Sequence, residues 1–168
     1  MENQSKIAKP VCNRIMVVSE NDNLTKYIQD EFDTISNILS IKTDYFYTKH
    51  CNCVSSMESL GAEKVNLRNF SNIISNYDLI ISLHCQEIFP VELVSNVRCI
   101  NIHPGYNPYN KGWYPQVFSI INGKPIGVTI HLMDEYIDNG EIICQEMISI
   151  NEEDTSLEVY DKLIDLEK

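Results

Sequence analysis

The segment VRCINIH (97–103) is mostly apolar after Arg98, and near its end Asn101 and His103 stand two residues apart. At that spacing both side chains face one side of a strand. An asparagine amide can donate to an oxygen that gathers negative charge, and a histidine exchanges a proton near neutrality. Further on, HLMDEYIDNG (131–140) brings Asp138 to a second strand end, where a carboxylate could orient an imidazole and raise its basicity. An Asn, a His and an Asp around an apolar cleft suit acyl transfer to an amine. The histidine would take the amine proton, the asparagine would hold the tetrahedral oxyanion, and the aspartate would tune the histidine. Each residue also has a plainer reading. Asn101 and His103 could merely satisfy backbone groups at a strand end, and Asp138-Asn139-Gly140 could be turn chemistry.

Such a trio needs strands that end side by side. RIMVVS (14–19) and DLIISLHC (78–85) are short apolar runs of the kind buried on both faces of a sheet. Ile41 to Tyr47 alternates, as does EIICQEMISI (141–150), which reads as a strand exposed on one face, and GVTIHLM (127–133) is a further buried strand. Helical spacing follows Asn23 to about Phe32, recurs over 66–76, and is expected again over 113–121. Residues 49–65 read as irregular and 90–95 as a connector or short helix. Thr155 or Ser156 would cap a last helix, with Glu158 placed for a capping box. Strands alternating with short helices predict one α/β domain with a mainly parallel sheet. No glycine-rich turn follows the first strand, so a standard dinucleotide or triphosphate cradle is not expected there.

The chain has 168 residues, 43% of them apolar and 22% charged, with a formal net charge of −11. Such a surface disfavours nucleic acid as a partner, because phosphate binding rests on lysine and arginine. No run approaches a membrane span, and the N-terminus, MENQSKIAKPVCNR, has no apolar stretch of the signal-peptide kind. A cytoplasmic protein is therefore expected, with its six cysteines reduced and Cys85, Cys99 and Cys144 as small core residues. His50-Cys51-Asn52-Cys53 lacks a second ligand pair, so no metal site is expected.

Taken together, Asn101-Ile102-His103-Pro104, Gly112-Trp113-Tyr114-Pro115 and the run Gly127 through Ile142 (GVTIHLMDEYIDNGEI) resemble the core of the folate-dependent formyltransferases. The pattern covers about a quarter of the chain. The resemblance implies a Rossmann-like catalytic domain over residues 13–168, preceded by a tail (1–12) and ending before the smaller C-terminal region such enzymes carry. It implies N10-formyltetrahydrofolate as formyl donor, no metal, and Asn101, His103 and Asp138 as the catalytic trio. It implies a pterin pocket formed by the loop His84-Cys85-Gln86-Glu87-Ile88-Phe89-Pro90 on one side and the loop from Met133 and Asp134 to Asp138 on the other. For Ile88 and Phe89, plain core packing is an equal alternative.

Enzymes of this kind that act on initiator tRNA carry a different strand end and need a basic surface. The form NIHPGYNPYNKGWYPQ is similar instead to bacterial sugar N-formyltransferases, in particular the branch using dTDP-4-amino-4,6-dideoxyglucose for O-antigen and lipopolysaccharide synthesis. That resemblance implies a nucleotide-sugar site made by Tyr106, Asn107, Lys111, Trp113, Tyr114 and Gln116. The aromatics would line a sugar pocket or stack on a ring, and Lys111 and Gln116 would bind polar or phosphate groups. Trp113 could equally anchor the helix that follows. Two other functions compete: glycinamide ribonucleotide formylation, and a truncated homologue that binds folate or sugar nucleotide without turnover. A homodimer is expected only if the absent C-terminal region is not needed for it.

Overall fold

The computed structural model describes residues 12–168. The tail expected over 1–12 lies, apart from Cys12, outside the described residues. The elements run β1 (Arg14–Ser19), α1 (Asp22–Leu39), β2 (Lys42–Tyr47), α2 (Val54–Ser59), β3 (Glu63–Lys64), α3 (Phe70–Asn76), β4 (Leu79–Leu83), α4 (Val91–Asn96), β5 (Arg98–His103), α5 (Pro115–Asn122), β6 (Gly127–Leu132), β7 (Ile142–Met147) and α6 (Ser156–Glu167). The strands form one seven-stranded sheet in the order β3-β2-β1-β4-β5-β6-β7. From β3 to β5 neighbours are parallel, whereas β6 is antiparallel to both β5 and β7. This is the mainly parallel α/β sheet expected, with helices against it.

The apolar runs of β1 and β4 follow from their position. Strands in the middle of a parallel sheet are covered on both faces, so they read as continuous rather than alternating. Met16, Val18 and Ile80 pack on one side with Leu67, Leu93 and Cys99. Ile15, Val17 and Ile81 pack on the other, with Ile28 and Phe32 of α1 against them. α6 covers the β6 region through Val159 and Leu163, which meet Ile126 and Val128. Its start is the capping box expected: the Glu158 N–H donates to Thr155 Oγ1 and the Thr155 N–H donates back to the Glu158 carboxylate.

Several elements differ from expectation. α1 begins two residues early, with the Leu24 N–H donating to Asn21 Oδ1 at 3.0 Å, and runs two turns beyond Phe32. Its extension carries Ile35, Ile38 and Leu39 exposed, so it leaves no core periodicity in the sequence. The stretch 49–65 is not irregular throughout, since α2 and β3 lie in it. β7 is an edge strand exposed along nearly its whole length, with only Gln145 partly covered. Cys144, expected in the core, is consequently exposed. Cys51 and Cys53 are free thiols with their sulfurs 3.6 Å apart, and among the described residues no group of three candidate ligands could hold a metal ion. Nor is any described helix long and apolar enough to cross a membrane.

Candidate active site

In an open α/β sheet the crevice beyond the carboxyl ends of the strands collects loops from several elements. Here that crevice is a cleft of about 400 Å³ at the ends of β4 and β5. Asn101, His103 and Asp138 all line it. Asp138, in the loop between β6 and β7, is where they meet. Its Oδ1 accepts from Asn101 Nδ2 at 3.0 Å, and its Oδ2 accepts from the Gly112 N–H at 2.8 Å. His103 Nδ1 lies 3.7 Å from Oδ2, too far for a hydrogen bond but close enough for the charges to interact. Asp138 adopts φ +46°, a left-handed backbone uncommon outside glycine and asparagine-like residues. Burial alone would push its carboxyl up, but the neighbouring histidines His131 and His103 and the Gly112 N–H together bring it below the ordinary aspartate value. It is a carboxylate at neutral pH.

His103 is buried, and its Nε2–H donates to the Asn110 carbonyl at 2.6 Å. Burial pulls the imidazole below the ordinary histidine value, against the opposing pull of Asp138 and of the Asn110 contact. The neutral form thus dominates near pH 7. Gly105 makes the tight fit over this ring feasible. A Cβ at that position would fall inside contact distance of both His103 Nε2 and the Asn110 carbonyl. Gly105→Ala should therefore shift the His103 ring and cost about 1–3 kcal/mol, as overpacking does. A thermal melt together with the product assay below would register both effects, and an unchanged melt and rate would contradict the packing described.

His131 was not among the residues singled out, yet it completes the arrangement. Its Nδ1–H donates to the Leu132 carbonyl at 2.7 Å, so Nε2 presents a lone pair, which faces Asn101 Nδ2 at 3.4 Å. Asn101 therefore directs one amide hydrogen firmly at Asp138 and the other weakly at His131. The pairing that brings His131 opposite Asn101 is the antiparallel register of β5 with β6. Sequence spacing carries no trace of that register; the histidine inside an otherwise apolar strand was the one available signal.

Of the residues expected around the donor, Gln86, Glu87, Ile88, Phe89, Met133 and Asp134 line the cleft, and Pro90 does not. Pro90 instead precedes α4 as its cap residue. Phe89 is a core residue that also reaches the cleft, whereas Ile88 is 73% exposed at its mouth. The two alternatives for this pair are thus divided between its members. Asp134 organises its own loop, accepting from the Tyr136 N–H and from Asn139 Nδ2. Of the residues expected around the acceptor, Trp113, Tyr114 and Gln116 line the cleft and Tyr106, Asn107 and Lys111 do not. Trp113 and Tyr114 are largely exposed, so Trp113 does not anchor α5. Asn107 is buried and ties loops together: its N–H donates to Thr129 Oγ1 at 3.1 Å and its Nδ2 to the Asp138 carbonyl at 3.0 Å. Lys111 Nζ donates to Asn139 Oδ1 at 2.8 Å. These two fasten the aromatic loop to the Asp138 loop. Cleft residues not singled out from the sequence are His131 and Tyr160, whereas His84, Tyr136 and Ile137 fall within the two loops expected to form the pocket.

Known proteins share this arrangement of elements. The chain is 51% identical over 98 residues to a dTDP-4-amino-4,6-dideoxyglucose formyltransferase of Mycobacterium tuberculosis, a match covering 58% of this chain and 42% of that protein. Among solved structures, a sugar N-formyltransferase from Shewanella sp. FDAARGOS_354 superposes with a TM-score of 0.89 at 46% identity, covering 92% of this chain and 65% of that one. A 4-N formyltransferase from Francisella tularensis gives 0.82 at 40%, over 94% and 65%. The chain thus spans less than half the length of the mycobacterial relative and about two thirds of the solved ones. The sequence model described as formyl transferase matches residues 12–168, the whole of the described residues, and on that match the protein belongs to the formyl transferase family.

Proposed function

We propose that this protein transfers a formyl group from N10-formyltetrahydrofolate to the amine of a nucleotide-linked amino sugar, with dTDP-4-amino-4,6-dideoxyglucose as the acceptor. One observation carries the reading: a single carboxylate, Asp138, draws Asn101, His103 and the loop residue Gly112 to one end of a partly apolar cleft. The likeness to sugar formyltransferases at 46% and 40% identity supports the substrate class. The relative at 51% identity supports the particular sugar nucleotide.

The cleft suits a folate. Ile88, Phe89 and Met133 offer apolar wall, and the exposed Ile137 extends it. The folate, when bound, supplies an activated formyl group. The chain's own residues do the rest. His103, neutral near pH 7, receives the proton that the attacking amine sheds, and Nε2 can accept it once the Asn110 carbonyl is released and the proton moves to Nδ1 beside Asp138; it would then return that proton to the N10 nitrogen of the departing tetrahydrofolate as its bond to the formyl carbon breaks. Asn101 keeps its 3.0 Å bond to Asp138 and turns its second amide hydrogen, only weakly engaged by His131, to the formyl oxygen as charge develops there. Trp113 and Tyr114 give the acceptor sugar or base a flat surface. With a net charge of −11 and Lys111 engaged with Asn139, the surface favours a small phosphorylated acceptor over tRNA. We further infer that residues 13–168 are the catalytic domain and that it works in the cytoplasm, where the six free thiols would stay reduced.

The test is product analysis by mass spectrometry, with N10-formyltetrahydrofolate and a panel of nucleotide-linked 3- and 4-amino sugars. Gain of one formyl group by the dTDP-linked 4-amino sugar is the expected result. Formylation of glycinamide ribonucleotide instead would overturn the acceptor assignment. Binding of both ligands without product would leave the non-catalytic alternative.

A further inference from the structure

Three of the protein's four histidines, His84, His103 and His131, line the cleft. The formyl-transfer scheme uses the latter two. His84 follows directly on β4, and the register of β4 with β5 (Ser82 opposite Asn101, Leu83 opposite Ile102) puts its backbone at the strand end beside His103. It holds a left-handed backbone, φ +55°, which a non-glycine residue rarely adopts without a reason. Its side chain meets Glu167 of α6. His84 Nε2 lies 2.9 and 2.8 Å from the two oxygens of that carboxylate, whose side chain is wholly buried. The Tyr160 ring, also from α6, meets the imidazole edge to face with centroids 6.3 Å apart.

The burial of Glu167 bears on which nitrogen of His84 carries hydrogen. A buried carboxylate with no compensating charge is costly, and a pair that is neutral overall avoids that cost. There are two ways to be neutral. Either His84 is an imidazolium against a carboxylate, or Glu167 keeps its proton and donates it to the Nε2 lone pair. In both, Nδ1 bears a hydrogen. No protein acceptor is bonded to Nδ1 among the described residues, and the ring lines the cleft.

We propose that His84, fixed by Glu167, is a further ligand-binding residue of the cleft, whose Nδ1–H donates to an acceptor oxygen of the bound ligand. That oxygen is a carbonyl oxygen of the folate or a phosphate oxygen of the nucleotide. The inference takes the identity of the ligand from the formyl-transfer reading, whereas the protonation of Nδ1 stands apart from it. Glu167 is a positioning residue that acts only through the imidazole. Through this pair α6 becomes part of the site rather than a mere cover on the sheet.

Two measurements test it. The first is the imidazole nitrogen NMR spectrum of the wild-type protein labelled with ¹⁵N-histidine, in which His84 Nδ1 is expected to be protonated. A lone pair at Nδ1 overturns the inference whatever the protein binds. In Glu167→Ala the imidazole loses the partner that holds its Nε2 side, so the Nδ1 signal should move toward the unprotonated position. A purely structural Glu167 would leave it unmoved. The second is titration calorimetry with two probes, 5-formyltetrahydrofolate and thymidine diphosphate. The amide of His84→Gln reaches where Nε2 sits and keeps Glu167 engaged, but removes the donor at Nδ1. That of His84→Asn takes the Nδ1 place and suits the left-handed backbone. His84→Gln should weaken one probe about tenfold and His84→Asn should weaken it less, both with near-normal melts. Weakening of the folate probe identifies a carbonyl oxygen, and weakening of the diphosphate a phosphate oxygen. Wild-type binding that His84→Gln leaves unchanged for both probes overturns the inference while the proposed function stands. A wild-type protein that binds neither probe overturns both.

Discussion

His103→Asn is expected to lower turnover by about 10²–10⁴-fold, the usual worth of a positioned acid–base group, while binding of 5-formyltetrahydrofolate stays within a few-fold of wild type. The imidazole is buried between the Asp138 carboxylate on one side and the Asn110 carbonyl on the other. An asparagine amide occupies the Nδ1 end of that space and leaves the Nε2 end empty, so it cannot receive a proton there. The expected pH behaviour follows from the direction in which burial moves the group. His103 titrates below the ordinary histidine value of about 6.5, and the reactive form is the neutral one. Wild-type kcat/KM should therefore persist below pH 6.5 and fall only as pH drops through the lowered pKa. The same shift has a stability signature. Between the folded pKa and about 6.5 the unfolded chain binds more protons than the folded one, so stability declines as pH falls through that window. His103→Asn should flatten both the acid limb of activity and this part of the melting profile. A variant that keeps wild-type turnover would remove His103 from the chemistry altogether.

Whether a feature could be read from the sequence tracks the range over which it is determined. β1 and β4 were legible because strands covered on both faces must be apolar nearly throughout, and nothing distant is needed to see that. The capping box of α6 was legible because Thr155 and Glu158 satisfy each other within one turn. Asn101 and His103 were legible as polar residues at the end of a buried strand, whereas Asp138 reaches them only through the loop between β6 and β7. What escaped depends on contacts across long separations. Asn107 looked like a ligand residue because an amide in an aromatic loop has no local partner. Its partners are Thr129 and Asp138, 22 and 31 residues on. Lys111 looked like a phosphate ligand for the same reason and is engaged 28 residues on by Asn139. The exposure of β7 could not be foreseen either: its alternation EIICQEMISI fits a half-covered strand, and only its place at the end of the sheet leaves Ile143, Cys144 and Met147 bare. His84 and Glu167 lie 83 residues apart, and no local pattern pairs them.

Asp138→Asn is expected to be the other severe substitution, with turnover reduced on the order of 10³-fold or more, as when the carboxylate that orients a catalytic imidazole becomes an amide. The case is unusually clean because the backbone does not confound it. Asp138 sits at φ +46°, a conformation asparagine adopts at least as readily as aspartate, so the loop has no steric cause to move. What changes is the pattern of acceptors. The Asp138 oxygens now receive hydrogen bonds from Asn101 Nδ2 and from the Gly112 N–H. An amide has a single oxygen, so one of these donors would face an NH₂ group. If Asn101 loses its partner, its amide is no longer aimed; if Gly112 does, the aromatic loop is released at the point where it crosses the site. In either case the charge that favours a proton on the Nδ1 side of His103 is gone, and with it the ring's readiness to accept one at Nε2. The stability cost should be about 1–3 kcal/mol, the worth of a charge-assisted hydrogen bond lost with its partner left buried. Its pH dependence has the opposite sense to that of His103. The Asp138 pKa is lowered on folding, so the carboxylate stabilises the fold above its unfolded value of about 4 and ceases to do so as pH falls through the folded one. Melts of wild type and variant should consequently differ at neutral pH and converge in acid. Wild-type turnover in the variant would dissociate Asp138 from catalysis. Lost turnover with an unchanged neutral-pH melt would assign the carboxylate to the chemistry and release it from any part in holding the loop.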